Sequence, residues 1–217
     1  MTFNQYKTAN HKRRYTDQSK MEYVAPLKTK RDIKRVQKAL LMQGRFNPKQ
    51  SAISPVGRRN LMMFDFGVST GLRVSDIIKL KVSDVKGDFL IREKKTGKPS
   101  QAAITDELHQ ELSAYISEMH LTGDDWLFPA VHCNKGGHIS RSQAYRAIKH
   151  AGDSCGIPNL GSHTMRKTFG RMWYEQGMSL PMLQEIFNHS SQKVTLHYIG
   201  IDRADIKKTM QKFHPLS

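Results

Sequence analysis

Apolar side chains recur at helical spacing along most of the chain. The first such stretch begins at Thr29 and stops near Gly44, and Ser54 with Pro55 opens a second one that stops at Gly71. The same pattern, preceded by Ser or Thr caps, predicts further helices over four segments: Ser75 to Leu80, Thr105 to Met119, Ser140 to Gly156, and Thr164 to Gln176. Shorter helices are expected in the remainder, so the predicted fold is mainly helical.

A second pattern interrupts the helices once. Phe89 to Arg92 and Ala102 to Ile104 carry strand-favouring residues on either side of a Lys-Thr-Gly-Lys turn that ends at Lys98. Two short strands joined by such a turn predict a hairpin. Trp126 to Pro129 is expected to be a buried connector between two helices. The fold class is therefore mainly α (α+β), with one small antiparallel β-sheet.

The chain divides into three predicted segments. Residues 1–25 lack hydrophobic periodicity and carry Lys, Arg, Asn, Gln and Thr, which predicts a flexible basic arm. Residues 26–200 hold the core elements and are expected to form one domain. Residues 201–217 form a tail in which an amphipathic helix is predicted from Asp202 to Phe213, with Ile206, Met210 and Phe213 on its apolar side.

The charge balance identifies the first candidate partner. The chain has 35 Lys and Arg against 19 Asp and Glu, a formal net charge of +16. Residues 1–38 contribute +8 of that excess, from eleven basic and three acidic residues. Such an excess favours polyanions, and nucleic acid first among them. Lys12, Arg13 and Arg14 in the arm are candidate DNA-binding residues, although a merely solvated tail would have the same composition.

Other classes of protein fit the composition less well. No window approaches the run of about 20 apolar residues that spans a bilayer, and the basic arm has no opposite apolar face for a membrane surface. No secretory signal opens the chain, so a cytoplasmic location is expected. Cys133 and Cys155 give no disulfide framework. His132, Cys133 and His138 lack the repeated pair spacing of a metal site, so no metal is expected.

Residues suited to phosphate chemistry gather in the last third of the chain. His163 and Arg166 are three apart on a predicted helix, so they share one face. His189 and Tyr198 are nine apart, which places them on opposite sides of a single continuous helix. Ser190 and Ser191 offer a break and a new helix cap between them. Two short helices in place of one would let both side chains converge.

Three stretches resemble, in order, the motifs of tyrosine recombinases of the phage integrase family. They are Thr70-Gly71-Leu72-Arg73-Val74-Ser75-Asp76, then His163-Thr164-Met165-Arg166, then Asn188-His189-Ser190-Ser191 followed by Tyr198-Ile199-Gly200. Each alone is a weak signal, whereas all three in the family's order, with a hairpin lysine between the first two, form a strong joint one. The resemblance covers about residues 27–200 and implies the family's helical catalytic domain.

The resemblance implies a site that cuts and rejoins DNA strands without metal, ATP or another cofactor. Its six catalytic residues would be Arg73, Lys95, His163, Arg166, His189 and Tyr198. The chain would be a site-specific recombinase acting in integration, excision or inversion of a DNA element. Lys94, Lys98 and Arg141 are further candidate DNA-binding residues.

Each role that the resemblance implies suits its residue type. Tyr198 would be the nucleophile that forms a 3′-phosphotyrosine link, and His163 would be its base or proton shuttle, because a phenol is a weak nucleophile at neutral pH. Arg73 and Arg166 would meet the charge on the phosphate oxygens with paired hydrogen bonds. Lys95 would protonate the departing 5′ oxygen, and His189 would hydrogen-bond the phosphate.

The resemblance also implies partners. Strand exchange in the family takes place between two DNA sites within a homotetramer, to which the tail of each protomer can contribute by docking on a neighbour; packing of the tail on its own core is the alternative. Many members carry an N-terminal core-binding domain, whereas a short basic arm is expected here, as in the short invertase-like members or a truncated integrase. Accessory DNA-binding proteins would then help to grip the site. Asn188 stands where the family usually has glycine, and it tolerates a left-handed helix end.

Two other functions remain open at this stage. A non-catalytic DNA-binding regulator or accessory protein would share the fold, but such a protein is expected to lose catalytic residues first. A type IB topoisomerase would share the chemistry, and it would differ by relaxing one duplex without exchanging strands between two.

Overall fold

The computed structural model describes residues 24–44, 53–85, 91–92, 99–100, 104–131 and 136–211. Within them the chain is mostly helical, as predicted. The helices are α1 (Lys30–Leu41), α2 (Pro55–Thr70), α3 (Val74–Ile77), α4 (Asp106–Glu118), α5 (Arg141–Ser154), α6 (Thr164–Glu175), α7 (Leu180–Phe187), α8 (Gln192–Tyr198) and α9 (Arg203–Met210). A 3₁₀ turn, Val82–Val85, follows α3. No helix in these ranges is both long enough and apolar enough to cross a bilayer.

Local capping sets the helix starts that the sequence predicted. Thr29 accepts a hydrogen bond from the backbone N–H of Asp32 at the start of α1, and Ser54 accepts one from Gly57 at the start of α2. Ser140 and Gln143 form a reciprocal capping box at the start of α5. Because each cap satisfies a backbone donor that the helix leaves unpaired, these boundaries are encoded locally.

Two predicted boundaries were wrong. The N-cap of α3 is Arg73, not Ser75, so the helix begins one residue after the arginine. The described part of the second strand, β2, is Pro99–Ser100; Ala102 lies outside the described residues, and Ile104, the predicted end of the strand, is not in a strand. Ile104 instead packs partly buried against the main core, directly before α4, which explains its apolar character without a strand.

The predicted antiparallel hairpin is present in the part of the chain that the structure describes. Strand β1, Ile91–Arg92, pairs with β2 so that Ile91 lies opposite Ser100 and Arg92 opposite Pro99. Phe89 and the turn residues Lys94, Lys95 and Lys98 lie outside the described residues.

Helix α2 is the centre of the main core and packs against α1, α4, α5 and α6. Its side chains Met63, Phe64 and Phe66 are fully buried, each stabilising the fold by about 2 kcal/mol through loss of apolar surface from water. Phe66 meets Phe128 edge to face at 6.1 Å between ring centroids. Leu127 and Phe128 are fully buried and Trp126 and Pro129 half-buried, so the predicted buried connector is confirmed for its two central residues.

A second, smaller core lies between α6, α7 and α8. Leu183, Phe187 and Ile199 are its fully buried members. Helix α6 approaches closely here because Gly170 has no side chain: a Cβ at that position would lie 2.6 Å from Ile199 Cγ2 and 2.8 Å from the Phe187 ring. This small core fixes the position of the C-terminal end of α8, where Tyr198 lies.

Helix α9 is attached to the rest of the fold mainly through polar groups. Asp202 and Asp205 form its capping box, and Arg171 on α6 pairs with the Asp205 carboxylate. None of its residues is buried, and Ile206 and Met210 are 52% and 71% exposed. The predicted amphipathic helix therefore exists from Arg203 to Met210, and the described side chains of its apolar side, Ile206 and Met210, are largely exposed. Phe213 lies outside the described residues.

Candidate active site

The turn after α2 brings the first motif to the site. Gly71 ends α2 in the left-handed conformation with φ of +67°, and a Cβ there would also lie 2.4 Å from the Phe169 ring. Only glycine meets both conditions without strain. Arg73, half-buried, follows at the start of α3.

The break between α7 and α8 occurs where the sequence suggested it. Asn188 ends α7 in the left-handed conformation, with φ of 51° and ψ of 48°, as expected of the residue in the place of the family's glycine. Ser191 then caps α8 by accepting a hydrogen bond from the backbone N–H of Val194. His189 lies in the turn between the two helices, and Tyr198 is the last residue of α8.

His163 and Tyr198 are in hydrogen-bond contact. His163 Nδ1 lies 3.2 Å from the Tyr198 hydroxyl oxygen, and the two rings are nearly perpendicular at 88°. His163 is the N-cap residue of α6, but its side chain makes no cap hydrogen bond. The imidazole contacts the tyrosine hydroxyl instead of the helix end. These residues are 35 positions apart in sequence.

His189 approaches the same tyrosine from the other side of the turn. Its ring centroid is 5.0 Å from that of Tyr198. His189 Nδ1 lies 3.1 Å from Thr195 Oγ1, and that hydroxyl donates to the backbone carbonyl of Ser191 at 3.2 Å. The threonine oxygen is thus placed to accept from Nδ1–H, which assigns the other ring nitrogen, Nε2, to any ligand in the site.

Arg166 links the first two motifs directly. Its side chain is buried, and Nη1 donates to the carbonyl oxygen of Gly71 at 2.7 Å. The guanidinium carbon lies 4.2 Å from the centroid of the Phe187 ring, a cation–π contact. A buried guanidinium held by a backbone carbonyl and an aromatic face has a fixed position, which is what recognition of a phosphate requires.

Burial and the two arginines act in opposite directions on Tyr198. Burial is the larger effect and raises the pKa of the Tyr198 phenol, while the charges of Arg166 and Arg73 and a hydrogen bond from Arg166 lower it. The phenol therefore stays protonated at neutral pH in the free protein, and a base is required to activate it.

Both histidines are shifted towards the neutral form. Burial lowers the pKa of His163, and the charges of Lys167, Arg166, Arg141 and Arg73 lower it further. The pKa of His189 is lowered first by burial and then by Arg166 and Arg73. A neutral imidazole beside a protonated phenol is the arrangement that proton transfer from tyrosine to histidine needs.

The structure thus brings together five of the six predicted catalytic residues: Arg73, His163, Arg166, His189 and Tyr198. Lys95 and the predicted DNA-binding residues Lys12, Arg13, Arg14, Lys94 and Lys98 lie outside the described residues. Arg141 is exposed at the start of α5, close enough for its charge to affect His163.

Of the three residues considered for a metal site, one lies in the described part of the chain. His132 and Cys133 lie outside the described residues, and His138 packs its ring at 4.9 Å from that of Trp126. The described part of the chain contains no group of three or more potential metal ligands. Cys155 is a free thiol.

Sequence reasoning missed three residues that support the site. Thr195 fixes His189, Phe187 lies against the Arg166 guanidinium, and the Lys167 ammonium lies 5.2 Å from the centroid of the Tyr198 ring. Lys167 is four residues after His163 on one helix face, so helical spacing alone could have indicated it. The other two depend on how α7 and α8 fold back on α6, which no local pattern encodes.

Known proteins of similar sequence carry related names. One is the probable integrase/recombinase YoeC of Bacillus subtilis, 35% identical over 195 residues that cover 89% of this chain and 98% of that protein. Another is the tyrosine recombinase XerD of Staphylococcus epidermidis, 30% identical over 167 residues, 73% of this chain and 56% of XerD. The chain therefore spans nearly all of YoeC but only about half of the length of XerD.

Solved structures share the fold. The crystal structure of XerA recombinase matches with a TM-score of 0.66 at 20% identity, covering 89% of this chain and 66% of that one. XerH site-specific recombinase, bound to its palindromic difH substrate in a post-cleavage complex, matches with a TM-score of 0.63 at 21% identity, covering 86% and 52%. The family model described as the phage integrase family matches residues 45–204, a range that contains all six predicted catalytic positions. The chain belongs to the phage integrase family.

Proposed function

We propose that this chain is a site-specific DNA recombinase that cleaves and rejoins DNA strands through a 3′-phosphotyrosine intermediate on Tyr198. The observation that carries the proposal is the 3.2 Å contact between His163 Nδ1 and the Tyr198 hydroxyl, in a site that also holds Arg166, His189 and Arg73. A phenol paired with a neutral imidazole among fixed cations suits metal-free attack on a phosphodiester.

The proposed cleavage step balances within the site. The Tyr198 oxygen attacks the phosphorus of a DNA phosphodiester, its proton passes to His163 Nδ1, and the bond from phosphorus to the 5′ oxygen breaks. Lys95 is proposed to donate a proton to that departing oxygen. A 5′ hydroxyl from another strand later attacks the phosphotyrosine, which restores a phosphodiester and frees the tyrosine. Each step replaces one phosphodiester bond by another, so the reaction does not need ATP as a source of energy.

The cations of the site are proposed to hold the scissile phosphate. Arg166 donates to Gly71 and also hydrogen-bonds Tyr198, and its guanidinium is proposed to bind a phosphate oxygen together with that of Arg73. His189 Nε2 can donate a hydrogen bond to the phosphate only when the imidazole ring is protonated. The negative charge of a bound phosphate favours that protonated form. Removing one such donor typically costs a factor of about 10² to 10³ in rate.

Double-stranded DNA is the proposed partner. The net charge of +16 supports it, and Lys12, Arg13, Arg14, Lys94, Lys98 and Arg141 are proposed phosphate contacts. Solved structures of similar fold include complexes with DNA, among them XerH on difH and the Tn1549 transposon integrase with transposon right-end DNA. A homotetramer on DNA, docking of α9 on a neighbouring protomer, and accessory proteins complete the proposal.

A suicide substrate tests the chemistry. Duplexes nicked close to the cleavage position, tiled from the DNA that flanks this gene, would be incubated with wild type, Tyr198→Phe and Tyr174→Phe in the presence of a chelator. Tyr174 is exposed near the end of α6, so its variant is the matched control for loss of a phenol. Wild type and Tyr174→Phe are expected to form a covalent protein–DNA adduct on a denaturing gel, and Tyr198→Phe none.

The same gel separates the competing functions. Binding of a duplex without any adduct from wild type would overturn the proposal and favour a non-catalytic DNA-binding protein on this fold. An adduct with relaxation of one duplex but no exchange between two would favour a type IB topoisomerase.

A further inference from the structure

Lys167 contacts both the first described residue of the chain, Val24, and the proposed nucleophile, Tyr198. It lies on α6 directly after Arg166, and its Nζ donates to the backbone carbonyl of Val24 at 2.6 Å. The same ammonium lies 5.2 Å from the centroid of the Tyr198 ring. The side chain is half-buried, so its charge is only partly screened by water.

The segment before α1 is held against α6 by other hydrogen bonds as well. Leu27 N–H donates to Thr168 Oγ1 at 2.9 Å, and Thr164 Oγ1 donates to the carbonyl of Ala25 at 3.1 Å. The Val24 carbonyl therefore has a defined position, and it fixes the ammonium that binds it. A long, flexible lysine side chain would otherwise lose most of its effect through motion.

We infer that Lys167 is a positioning residue for strand cleavage, which holds a fixed positive charge beside the His163–Tyr198 pair and against the Tyr198 ring. The inference rests on the proposed function of Tyr198 as nucleophile.

Three effects follow from a cation at this place. The ammonium attracts the negative face of the Tyr198 ring, which restrains the ring, and it stabilises the negative charge that grows on the phenol oxygen during attack. It also repels a proton from His163, so the imidazole remains a free base. Burial has the largest effect in lowering the pKa of His163, and among the neighbouring charges that of Lys167 has the largest effect.

The other groups around His163 do not compensate for its loss. Those with an effect on the imidazole are Arg166 and Lys167 on α6, Arg141 on α5, Arg73 before α3, and the phenol of Tyr198 on α8. All four charged groups are cations. Removing Lys167 therefore raises the pKa of His163, and the fraction of free base falls at a given pH.

The test is the pH profile of single-turnover adduct formation on the nicked duplex, for wild type, Lys167→Gln, Lys167→Arg and Thr168→Val. Lys167→Gln removes the charge, and Lys167→Arg keeps it. Thr168→Val is the matched structural control, because it removes the bond to Leu27 N–H and leaves the ammonium in place. Thermal unfolding of each variant checks that it folds.

Lys167→Gln is expected to form adduct about 3- to 10-fold more slowly near neutral pH, with the acidic limb of its profile moved up by about 0.5 to 1 pH unit. Lys167→Arg is expected to keep the wild-type limb, and Thr168→Val to leave the limb unmoved whatever its rate. NMR titration of His163, assigned with His163→Gln, is expected to show the same upward shift in Lys167→Gln without DNA.

Unchanged rate and limb in a folded Lys167→Gln, with active wild type, would overturn the inference and leave the proposed function intact. An equal shift in Thr168→Val would also overturn it, because the lysine would then act only by tethering the segment before α1. Wild type that forms no adduct on any duplex would overturn the proposed function and the inference with it.

Discussion

Arg171 and Asp205 form a two-point ion pair that joins α6 to α9. Arg171 Nη2 lies 2.8 Å from Asp205 Oδ1 and Nη1 lies 2.9 Å from Oδ2, and Nη1 also donates to the carbonyl of Gly200 at 2.7 Å. The Arg171 side chain is only 5% exposed. Because Gly200 follows Tyr198 by two residues, this pair fixes the chain on the C-terminal side of the nucleophile.

We predict that Asp205→Asn lowers the free energy of unfolding by about 1 to 2 kcal/mol near pH 7, because it removes a charged acceptor from a buried guanidinium. The Arg171 guanidinium holds the pKa of Asp205 at about 2, below its usual range. A carboxyl whose pKa is lower in the folded state stabilises the protein above its unfolded pKa of about 4 and loses that contribution as the pH falls towards about 2.

Thermal unfolding of wild type and Asp205→Asn between about pH 7 and pH 2 checks this prediction, with Lys208→Gln as a control on the exposed side of α9. The gap between wild type and Asp205→Asn should narrow as the pH falls. A gap that stays constant with pH would contradict the assignment of the effect to the ion pair.

A substitution at Gly170 tests the role of the small core separately from that of the main core. Its substitution by alanine places a Cβ 2.6 Å from Ile199 and 2.8 Å from Phe187, so α7 and α8 must move away from α6. We expect Gly170→Ala to destabilise the fold by about 1 to 3 kcal/mol through overpacking. Adduct formation should fall by more than that stability loss explains, because Tyr198 moves relative to His163.

The measurement combines thermal unfolding with single-turnover cleavage at a temperature where each variant is folded. Gly137→Ala is the matched control, since a Cβ there meets no atom within 4 Å. If a folded Gly170→Ala variant cleaves at the wild-type rate, the small core does not set the position of the nucleophile.

A third prediction concerns a carboxyl far from the site. Asp65 on α2 accepts a hydrogen bond from Gln37 Nε2 at 2.7 Å, and burial raises the pKa of Asp65 to about 7, with a further contribution from Glu111. A carboxyl whose pKa is higher in the folded state binds a proton on folding. Its cost to stability is absent at low pH and grows as the pH rises from about 4 to about 7.

Asp65→Asn should therefore be more stable than wild type above about pH 7, by about 2 kcal/mol, and should lose that advantage as the pH falls towards about 4. Denaturant unfolding at several pH values measures it. Because Asp65 lies outside the candidate site, adduct formation by the folded variant should match wild type. Equal stability of the two proteins at high pH would contradict the assignment.

The sequence by itself determined the helical framework. Caps such as Ser54 and Ser140 act on backbone donors within three residues, so their effect is visible in the linear chain. The break between His189 and Tyr198 was predictable for the same reason, because Ser191 caps locally. The order of the family motifs identified the candidate catalytic set from residue types and spacing alone.

Only the tertiary structure decided how those residues meet. The contact between His163 and Tyr198, the bond from Arg166 to Gly71 and the bond from Lys167 to Val24 join residues 35, 95 and 143 positions apart. Such distances depend on how α6 packs against α2, α7 and α8, and many helix packings satisfy the same hydrophobic pattern. The pKa shifts also depend on the tertiary structure. They are caused by burial and by neighbouring charges, and both exist only once the chain is folded.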